Sequence, residues 1–310
     1  MKKTIKFLHF LPTPQNFCYN KIMINTYNES SLHQSLKIIY ARKEAGLKNW
    51  EKLNPNDSEI QLNGQKNVDF TSPDIDLNKL DIDLNKLIEQ KIQLVSESTG
   101  KKHEYICDIV TKDKKVIEIQ TANLHSLTSK IMDFTAGKIH VKVVYPVTIK
   151  KYIQTFDEST GKITIRKSPA KKNIYNGFFK EATAFTPLLC NRYFSLEVLE
   201  IVCIEDRIKT VEPVQSKNGR RRFQKSWVKT GKRLKELGKS HVFNGKKSWL
   251  NLLPKGINKE FTVNEIYKKI TESGIKTTRN ECSLLVWILF HGKIIQRVGK
   301  EGNSYKYSIS

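Results

Sequence analysis

The sequence predicts an α/β protein with a mixed central sheet, followed by a smaller C-terminal unit. Two apolar segments rich in Ile and Val, YICDIV and VIEIQT, flank the polar turn TKDKK and are typical of a β-hairpin. A helical pattern, LHSLTSKIMDF, and a further apolar strand, IHVKVVYPV, follow the hairpin. A hairpin, a helix and a strand in this order indicate a sheet with a helix packed across it.

Net charge indicates the class of partner. The 310 residues contain 54 Lys and Arg against 31 Asp and Glu, a net charge of +23, and the isoelectric point is near 9.7. Such an excess is expected of a protein that neutralises phosphates, so nucleic acid is the first partner to consider. The hydrophobic content of 38% is enough for an ordinary core, and this length favours two domains or one domain with an appendage.

The cysteines and the N-terminus favour a cytoplasmic protein without a membrane partner. The five cysteines are scattered and form no CxxC pair, which favours a reducing compartment and argues against structural zinc. In MKKTIKFLHFLP the apolar stretch stops at Pro12, too early for a secretory or membrane-spanning segment. Met23 is an alternative start, so we expect residues 1–21 to be a loose extension.

The first helix is predicted over 28–45, NESSLHQSLKIIYARKEA. Asn28 is its candidate N-cap, and Leu32, Leu36 and Ile39 share one face. Glu29 then lies in the first turn.

Residues 54–102 are predicted to be a tolerant insertion. They are polar and contain the heptad DIDLNKL twice in immediate succession. Two heptads are too few for a coiled coil, and a perfect tandem repeat is typical of slippage in a segment that tolerates change. No catalytic role is expected here.

The hairpin brings two carboxylates together. If its turn is centred on Asp113, residues pair when their numbers sum to 226, which places Asp108 opposite Glu118 and puts Gln120 on the same face. Cross-strand partners have Cβ atoms about 4.5–5.5 Å apart, and two like charges so placed are destabilising. We therefore expect a cation between them, and oxygen ligands at this spacing suit Mg²⁺ or Mn²⁺.

The same residues resemble a known motif. Asp108, nine intervening residues and Glu118-Ile119-Gln120 are similar to the core of the PD-(D/E)XK, or restriction-endonuclease-like, nuclease superfamily. The resemblance implies that Asp108 and Glu118 hold a metal ion and that position 120, usually Lys, positions the attacking water. The first helix is similar to that of the resolvase-like and Mrr-like branches, which implies that Glu29 completes the metal site.

The resemblance covers roughly residues 24–205 and implies a restriction-endonuclease-like core with a mixed sheet. The segments NESSLH, IEIQT, VVYP and RKSP also resemble an uncharacterised bacterial family assigned to this superfamily. Gln120 replaces the usual Lys and cannot act as a cation or a general acid, so we expect water activation to fall to the metal and Gln120 to orient water. The alternative is that Asp108 and Glu118 are solvated residues on an exposed hairpin.

Basic residues after the hairpin are candidate phosphate contacts. Lys130 lies on the flank of its helix opposite the apolar residues, and Arg166 and Lys167 end a second hairpin. Residues 206–247 are predicted to be a basic linker and helix after a nuclease-like domain at 22–205. Solvated surface charge is the alternative for each. In the linker, the residues expected to contact the phosphate backbone of the nucleic acid are Arg220, Arg221, Arg222, Lys225, Lys232 and Arg233.

The C-terminal unit, residues 248–310, is predicted to contain two helices and a hairpin, an order that resembles a winged helix. Thr262 is a candidate cap of the first helix, and Gly292 ends the second. Arg279 would lead the second helix while Lys300 and Lys306 lie on the wing, as phosphate contacts would require. Such a unit can instead dock a protein or dimerise, so a homodimer stays open.

The function predicted from these patterns is metal-dependent hydrolysis of phosphodiester bonds in nucleic acid, with Mg²⁺ or Mn²⁺ as cofactor. DNA is favoured as the substrate, although basic charge alone does not separate DNA from RNA. The alternative function is a nucleic-acid-binding or regulatory protein that keeps a nuclease fold without catalysis.

Overall fold

The computed structural model describes residues 30–47, 84, 86–95, 100, 102–169, 173, 177–216, 219 and 221–310. Over these residues the α/β prediction is confirmed, because helices pack on a large mixed sheet. Glu29 and Arg220, both predicted site residues, lie outside the described residues, as do the predicted extension at 1–21 and most of the repeated heptads.

Helix α1, Ser31–Glu44, begins later than predicted. Its N-cap is Ser30, whose side chain accepts a hydrogen bond from the backbone N–H of His33, so the prediction of Asn28 as N-cap is wrong. Ser and Asn are both good N-caps, and the choice between them depends on tertiary packing that the sequence pattern does not show. The predicted apolar face is confirmed, since Leu32, Leu36 and Ile39 are buried.

Seven strands form the main sheet in the order β1-β2-β3-β4-β6-β7, and β5 pairs with β4. The first three strands are antiparallel, β3, β4 and β6 run parallel to one another, and β7 is antiparallel to β6. The strands are β1 Ile88–Val95, β2 Lys102–Val110, β3 Val116–Ile119, β4 Val141–Asp157, β5 Lys162–Lys167, β6 Phe194–Val214 and β7 Lys225–Phe243.

The parallel strands need crossover connections, and helices supply them. A 3₁₀ turn at Leu124–Leu127 leads into helix α2, Thr128–Ala136, which confirms the helix predicted after the hairpin. A short helix α3, Phe178–Ala182, continues into a 3₁₀ segment, Thr183–Leu188, before β6.

Two apolar cores cover the two faces of the sheet. Helix α1 buries one face through Leu32 and Leu36, which pack with Ile109 and Ile117. Helix α2 belongs to the other core, where Ile131 contributes with further side chains of the sheet. Burial on both faces explains why the central strands are continuous Val and Ile runs.

Two segments that were predicted to be irregular form strands. The proposed insertion at 54–102 contains β1, which pairs with β2 along the sheet edge. The proposed linker and helix at 206–247 is wrong over the described residues, since β6 continues to Val214 and β7 returns beside it. The strands β1 and β7 are partly exposed and mostly polar. Such strands lack the apolar alternation that reveals a strand in a sequence.

The C-terminal unit follows the predicted order of helices and hairpin. Its three-stranded antiparallel sheet has the order β8-β10-β9. Thr262 and Thr278 each form a capping box with the Glu three residues later, and Gly292 caps the last helix, as predicted for Thr262 and Gly292. The elements are α4 Gly245–Leu250, β8 Glu260–Phe261, α5 Val263–Glu272, α6 Arg279–His291, β9 Ile295–Glu301 and β10 Ser304–Ile309.

One continuous core joins this unit to the sheet. Trp249 is fully buried, stacks on Phe243 of β7 at a centroid distance of 4.5 Å and lies 6.3 Å from Phe178. Gly292 packs so closely on Leu189 that a Cβ atom built at Gly292 would lie 2.6 Å from the Leu189 side chain. The C-terminal unit therefore shares its core with the main sheet.

Helices long and apolar enough to cross a lipid bilayer are absent from the described part of the chain.

Candidate functional site

The predicted hairpin register is confirmed, and the two carboxylates lie where it ends. Ile109 pairs with Ile117 and Val110 pairs with Val116, so the residue numbers sum to 226. At the next pair of positions, the carboxylates of Asp108 and Glu118 accept the hydrogen bonds that backbone carbonyls would accept in a regular strand pair. The Asp108 carboxylate accepts the N–H of Ile119 at 2.7 Å, and the Glu118 carboxylate accepts the N–H of Asp108.

Asp108 and Glu118 do not share a face, which corrects the sequence prediction. Cys107 and Ile109 are two residues apart on β2 yet pack in opposite cores, so the alternation of side chains breaks at Asp108. Asp108 consequently faces α1, while Glu118 faces α2. A simple two-residue period could not anticipate this irregularity.

Asp108 is held by two basic side chains of α1. Its Oδ2 atom lies 3.3 Å from His33 Nε2, and its Oδ1 atom lies 3.4 Å from Lys37 Nζ. Burial opposes ionisation, but hydrogen bonding to His33 and the charges of His33 and Lys37 hold the pKa of Asp108 below its usual value. The carboxylate is therefore ionised at neutral pH.

The ring of His33 lies against the backbone carbonyl of Ile119, next to Asp108. Its Nε2 atom is 2.6 Å from the carbonyl oxygen of Ile119. A carbonyl oxygen only accepts hydrogen bonds, so Nε2 carries the proton and donates it in this arrangement. Three potential ligand atoms, His33 Nε2, Asp108 Oδ2 and Ile119 O, thus meet at one point.

Lys37 is fully buried and balances the acidic groups around it. Its ammonium group lies 3.0 Å from Glu89 Oε1 as well as 3.4 Å from Asp108. A buried lysine is rare unless it is paired, because desolvation of the ammonium group is costly. Neither His33 nor Lys37 was predicted from the sequence, although their i, i+4 spacing places them on one face of α1.

Glu118 is nearly buried and pairs with Lys130. The Lys130 ammonium group lies 2.6 Å from Glu118 Oε1 and donates to the Ile106 carbonyl at 2.6 Å. Burial raises the pKa of Glu118 to about 7 against the opposing charge of Lys130, and Asp108 raises it further. Lys130 was predicted on the flank of α2 opposite its apolar residues, as a phosphate contact, and its side chain reaches from there to Glu118.

The raised pKa of Glu118 predicts how stability depends on pH in metal-free protein. Its stabilising effect is complete below the unfolded pKa of 4.5 and is lost as the pH rises through about 7. Since one pKa unit corresponds to about 1.4 kcal/mol, we expect wild type to lose on the order of 2 kcal/mol relative to Glu118→Gln between about pH 5 and pH 8. Urea unfolding in EDTA measures this difference. Parallel pH profiles for the two proteins would contradict it.

Gln120 does not face the carboxylates. Its Nε2 atom donates to the Ala122 carbonyl at 2.6 Å and lies 3.2 Å from Ser126 Oγ. The amide therefore holds the turn that leads into α2. These contacts do not support the predicted role of Gln120 in orienting water.

The donor atoms next to α1 meet part of what a divalent ion needs. Within the described residues no three His, Cys, Asp or Glu side chains are grouped as a metal site. The group at α1 instead combines two side chains, His33 and Asp108, with the carbonyl of Ile119 at mutual distances of 2.6 and 3.3 Å. Neighbouring ligands of an octahedral ion with bonds of about 2.1 Å lie about 3 Å apart, which these two distances approach, and His33 Nε2 would have to give up the proton that it donates to Ile119 before it could bind such an ion.

The predicted phosphate-contact residues fall into two groups. Arg166, Lys167, Arg222, Lys225 and Lys300 are exposed on strands or turns, whereas Arg279, although exposed, donates a hydrogen bond to Asn264 Oδ1 at 2.6 Å. The other group already has partners within the protein. Arg233 holds Asp206 through two hydrogen bonds, Lys232 donates to Thr148, Arg221 donates to the carbonyls of Val214 and Trp227, and Lys306 pairs with Glu301.

Comparison with known proteins gives relatives of undescribed function. A family model described as "Domain of unknown function (DUF8091)" matches residues 84–244, just over half of the chain, and ends one residue after β7. An "Uncharacterized protein" of Treponema pallidum (strain Nichols) is 29% identical over 147 residues, which are 46% of this chain and 53% of that relative.

The chain thus spans about half the length of this curated relative. No solved structure matches. The matched range includes Asp108, Glu118 and Lys130 and begins after α1. On the extent of the family match, the chain belongs to the family described as Domain of unknown function (DUF8091).

Proposed function

We propose that this protein is a metal-dependent nuclease that hydrolyses phosphodiester bonds in DNA. The single observation that carries the proposal is the meeting of His33 Nε2, Asp108 Oδ2 and Ile119 O where β2 and β3 separate. Perturbed, buried ionisable groups of this density are typical of functional sites. The net charge of +23 supports a polyanionic substrate.

Each side chain has a separate task in this proposal. His33, Asp108 and the Ile119 carbonyl would hold Mg²⁺ or Mn²⁺, while Glu118, which faces α2, would hold Lys130 and the backbone N–H of Asp108 in place. The ion would supply neutralisation of the charge that develops on the phosphoryl oxygens. Lys37 keeps Asp108 ionised and in place, since its ammonium group is fixed by burial.

Lys130 takes the part that the sequence assigned to position 120. Gln120 is held by the turn before α2, whereas the Lys130 ammonium group contacts Glu118 directly. An ammonium group in that position can stabilise negative charge on a phosphate or donate a proton, which an amide cannot do.

The order of elements supports a restriction-endonuclease-like core. A helix, three antiparallel strands, a helix and a parallel strand follow one another from α1 to β4. The C-terminal order of helix, short strand, two helices and hairpin likewise supports a winged-helix-like unit.

The second candidate function is a DNA-binding protein without catalysis. Lys37 and Lys130 neutralise the two carboxylates, which favours this alternative because a metal ion must compete with both ammonium groups. Metal titration separates the two functions. An active nuclease binds Mn²⁺ through Asp108, whereas an inactive binder shows the same weak metal response in wild type and Asp108→Asn.

The test of the proposal is a cleavage panel with single-stranded, duplex and branched DNA and with RNA, in Mg²⁺ or Mn²⁺. We expect cleavage of DNA that EDTA abolishes. Absence of cleavage on every substrate, together with DNA binding, would establish the second candidate. Cleavage confined to RNA would overturn the assignment of DNA.

Lys130→Met should lower the cleavage rate by about 100-fold, in the range found when a group that stabilises transition-state charge is removed. Met retains the packing of the aliphatic chain, and the nearly buried Glu118 can take up a proton because its pKa is already about 7. Lys112→Met in the exposed hairpin turn is the matched control and should leave the rate unchanged. Equal rates for the two variants would remove Lys130 from the mechanism.

A further inference from the structure

A cavity of about 310 Å³ lies where the parallel strands β3, β4 and β6 begin. The three strands start side by side, because Val116 pairs with Val141, which pairs in turn with Phe194. The last turn of α1 contributes Glu44 to the lining. The cavity is therefore enclosed by the strand starts and the end of α1, whereas the candidate metal site adjoins the beginning of α1.

The residues that precede the three strands face the cavity. The first residue of each strand packs in the core on the α2 side of the sheet. Because side chains alternate along a strand, the preceding residues, Lys115, His140 and Tyr193, lie on the α1 side, where all three line the cavity. Lys142 pairs with Ser195 one row further along the same side, and both also line it.

Cations predominate among these side chains. Within the described lining, Lys115, Lys142 and Arg192 face a single carboxylate, that of Glu44. Clefts with walls of one charge attract ligands of the opposite charge, because the low-dielectric walls concentrate the field. The cavity therefore suits an anion.

Two of the cations can bind a ligand without breaking the fold. The Lys142 ammonium group lies 3.7 Å from Glu197 Oε2, beyond hydrogen-bond distance. Glu197 is held independently, since its Oε1 atom accepts the hydroxyls of Tyr40 and Ser240 at 2.6 Å each. Lys115 pairs at 3.3 Å with an exposed carboxylate of the hairpin turn, and exposed pairs of this kind are weak.

The side of the cavity next to β6 is aromatic. The guanidinium carbon of Arg192 lies 4.9 Å from the centroid of the Tyr193 ring, and its Nη2 atom donates to the Tyr193 hydroxyl at 2.8 Å. The rings of His140 and Tyr193 meet edge to face at 4.9 Å. Aromatic rings and guanidinium planes held in this way are surfaces on which nucleobases stack.

We propose that this cavity binds a nucleoside monophosphate, with the phosphate on Lys115 and Lys142 and the base against Tyr193 and Arg192. Neighbouring strands lie about 4.8 Å apart, so the starts of β3 and β6, with β4 between them, are about 10 Å apart. A cationic end and an aromatic end are thus separated as the phosphate and base of one nucleotide are. The Glu44 carboxylate accepts hydrogen bonds and suits the ribose hydroxyls.

The volume limits the ligand to a small molecule. Sites for small molecules usually measure about 300–1,000 Å³, and this cavity lies at the lower end of that range. Glu44 follows His33 by eleven residues, about 17 Å along α1, so the cavity is separate from the candidate metal site. Nucleotide binding here goes beyond the proposed nuclease and does not depend on it.

The test is calorimetric titration of the full chain in EDTA with the four ribonucleoside monophosphates, with their nucleosides and with inorganic phosphate. At least one monophosphate should bind at least about tenfold more tightly than its nucleoside and than inorganic phosphate. The reason is that only the intact nucleotide engages both ends of the cavity at once.

Lys142→Met should weaken binding of that monophosphate at least about tenfold, as expected when a charged hydrogen-bond donor is removed. Lys142→Arg keeps the charge and should retain most of the affinity. Tyr193→Leu should weaken binding at least about fivefold, since it removes one stacked ring. Lys162→Met, in an exposed residue of β5 outside the cavity, is the matched control and should bind like wild type.

Absence of binding by all four monophosphates would overturn the proposal, as would equal affinity of Lys142→Met and wild type. If circular dichroism shows that Lys142→Met is unfolded, Tyr193→Leu decides in the same way. Inorganic phosphate that binds as tightly as every monophosphate would overturn the assignment of a nucleotide. Nucleotide binding without metal-dependent cleavage would reject the nuclease alone, whereas cleavage without nucleotide binding would reject the cavity alone.

Discussion

Asp108→Asn and Glu118→Gln should each lower metal-dependent cleavage by at least about 100-fold, without a comparable loss of DNA affinity in EDTA. Asn retains an oxygen that accepts the Ile119 N–H but lacks the charge that a cation requires. Gln likewise retains an acceptor for the Asp108 N–H. DNA affinity should persist because these carboxylates would serve the cleavage site, while basic surface residues serve the phosphates.

Both variants should fold, so that loss of cleavage can be attributed to the site. In Asp108→Asn, Lys37 keeps its ion pair with Glu89 at 3.0 Å, and in Glu118→Gln, Lys130 keeps the Ile106 carbonyl. Asp113→Asn, in the exposed turn of the same hairpin, is the matched control and should cleave like wild type. The measurement is single-turnover cleavage in Mn²⁺, with circular dichroism as the check on folding. Undiminished cleavage by either site variant would reject its carboxylate as part of the site.

Ion pairs as buried as these are poor sources of stability. The attraction between Lys130 and Glu118 must first compensate the desolvation of both groups, and apolar side chains of similar volume are often as stabilising. The raised pKa of Glu118 records this cost directly, since burial is its first cause. A chain that keeps Lys37, Asp108, Glu118 and Lys130 within its two cores therefore has charges that folding alone does not require, which favours a chemical role.

The sequence revealed the hairpin because both strands are largely buried on either side of its turn. Val110, Val116, Ile109 and Ile117 gave the apolar runs, and TKDKK gave the turn, so the register followed from counting. The same reasoning predicted that Asp108 and Glu118 lie together. It did not predict their different faces, because the break in alternation at Asp108 depends on the contacts of its carboxylate with α1 and with Ile119.

Residues that act from a distance along the chain were harder to identify. His33 lies 75 residues before Asp108 and has no local motif that marks it as part of a site. Periodicity placed Lys130 on the polar flank of α2. Its contact with Glu118 was not predicted, because a long side chain extends beyond the face that periodicity assigns to it. The strand β7 was missed because basic side chains cover it, and composition suggested a linker where pairing with β6 produces a strand.

Trp249→Ala should lower the free energy of unfolding by about 3–5 kcal/mol, the usual cost of removing a fully buried aromatic side chain. Trp249 stacks on Phe243 of the main sheet while belonging to the first helix of the C-terminal unit. The loss should therefore appear in a single unfolding transition shared by both parts, measured in urea by tryptophan fluorescence and far-ultraviolet circular dichroism.

Trp287→Ala is the matched control, since Trp287 is 42% exposed on α6 and its removal should change the free energy of unfolding by only about 0.5 kcal/mol. The same coupling predicts the behaviour of a chain that lacks residues 206–310. Such a cut ends within β6 and removes β7 together with Phe243 and Trp249, so this fragment should show no cooperative transition. Two separate transitions in the full chain, with only the second moved by Trp249→Ala, would instead show that the C-terminal unit folds independently of the sheet.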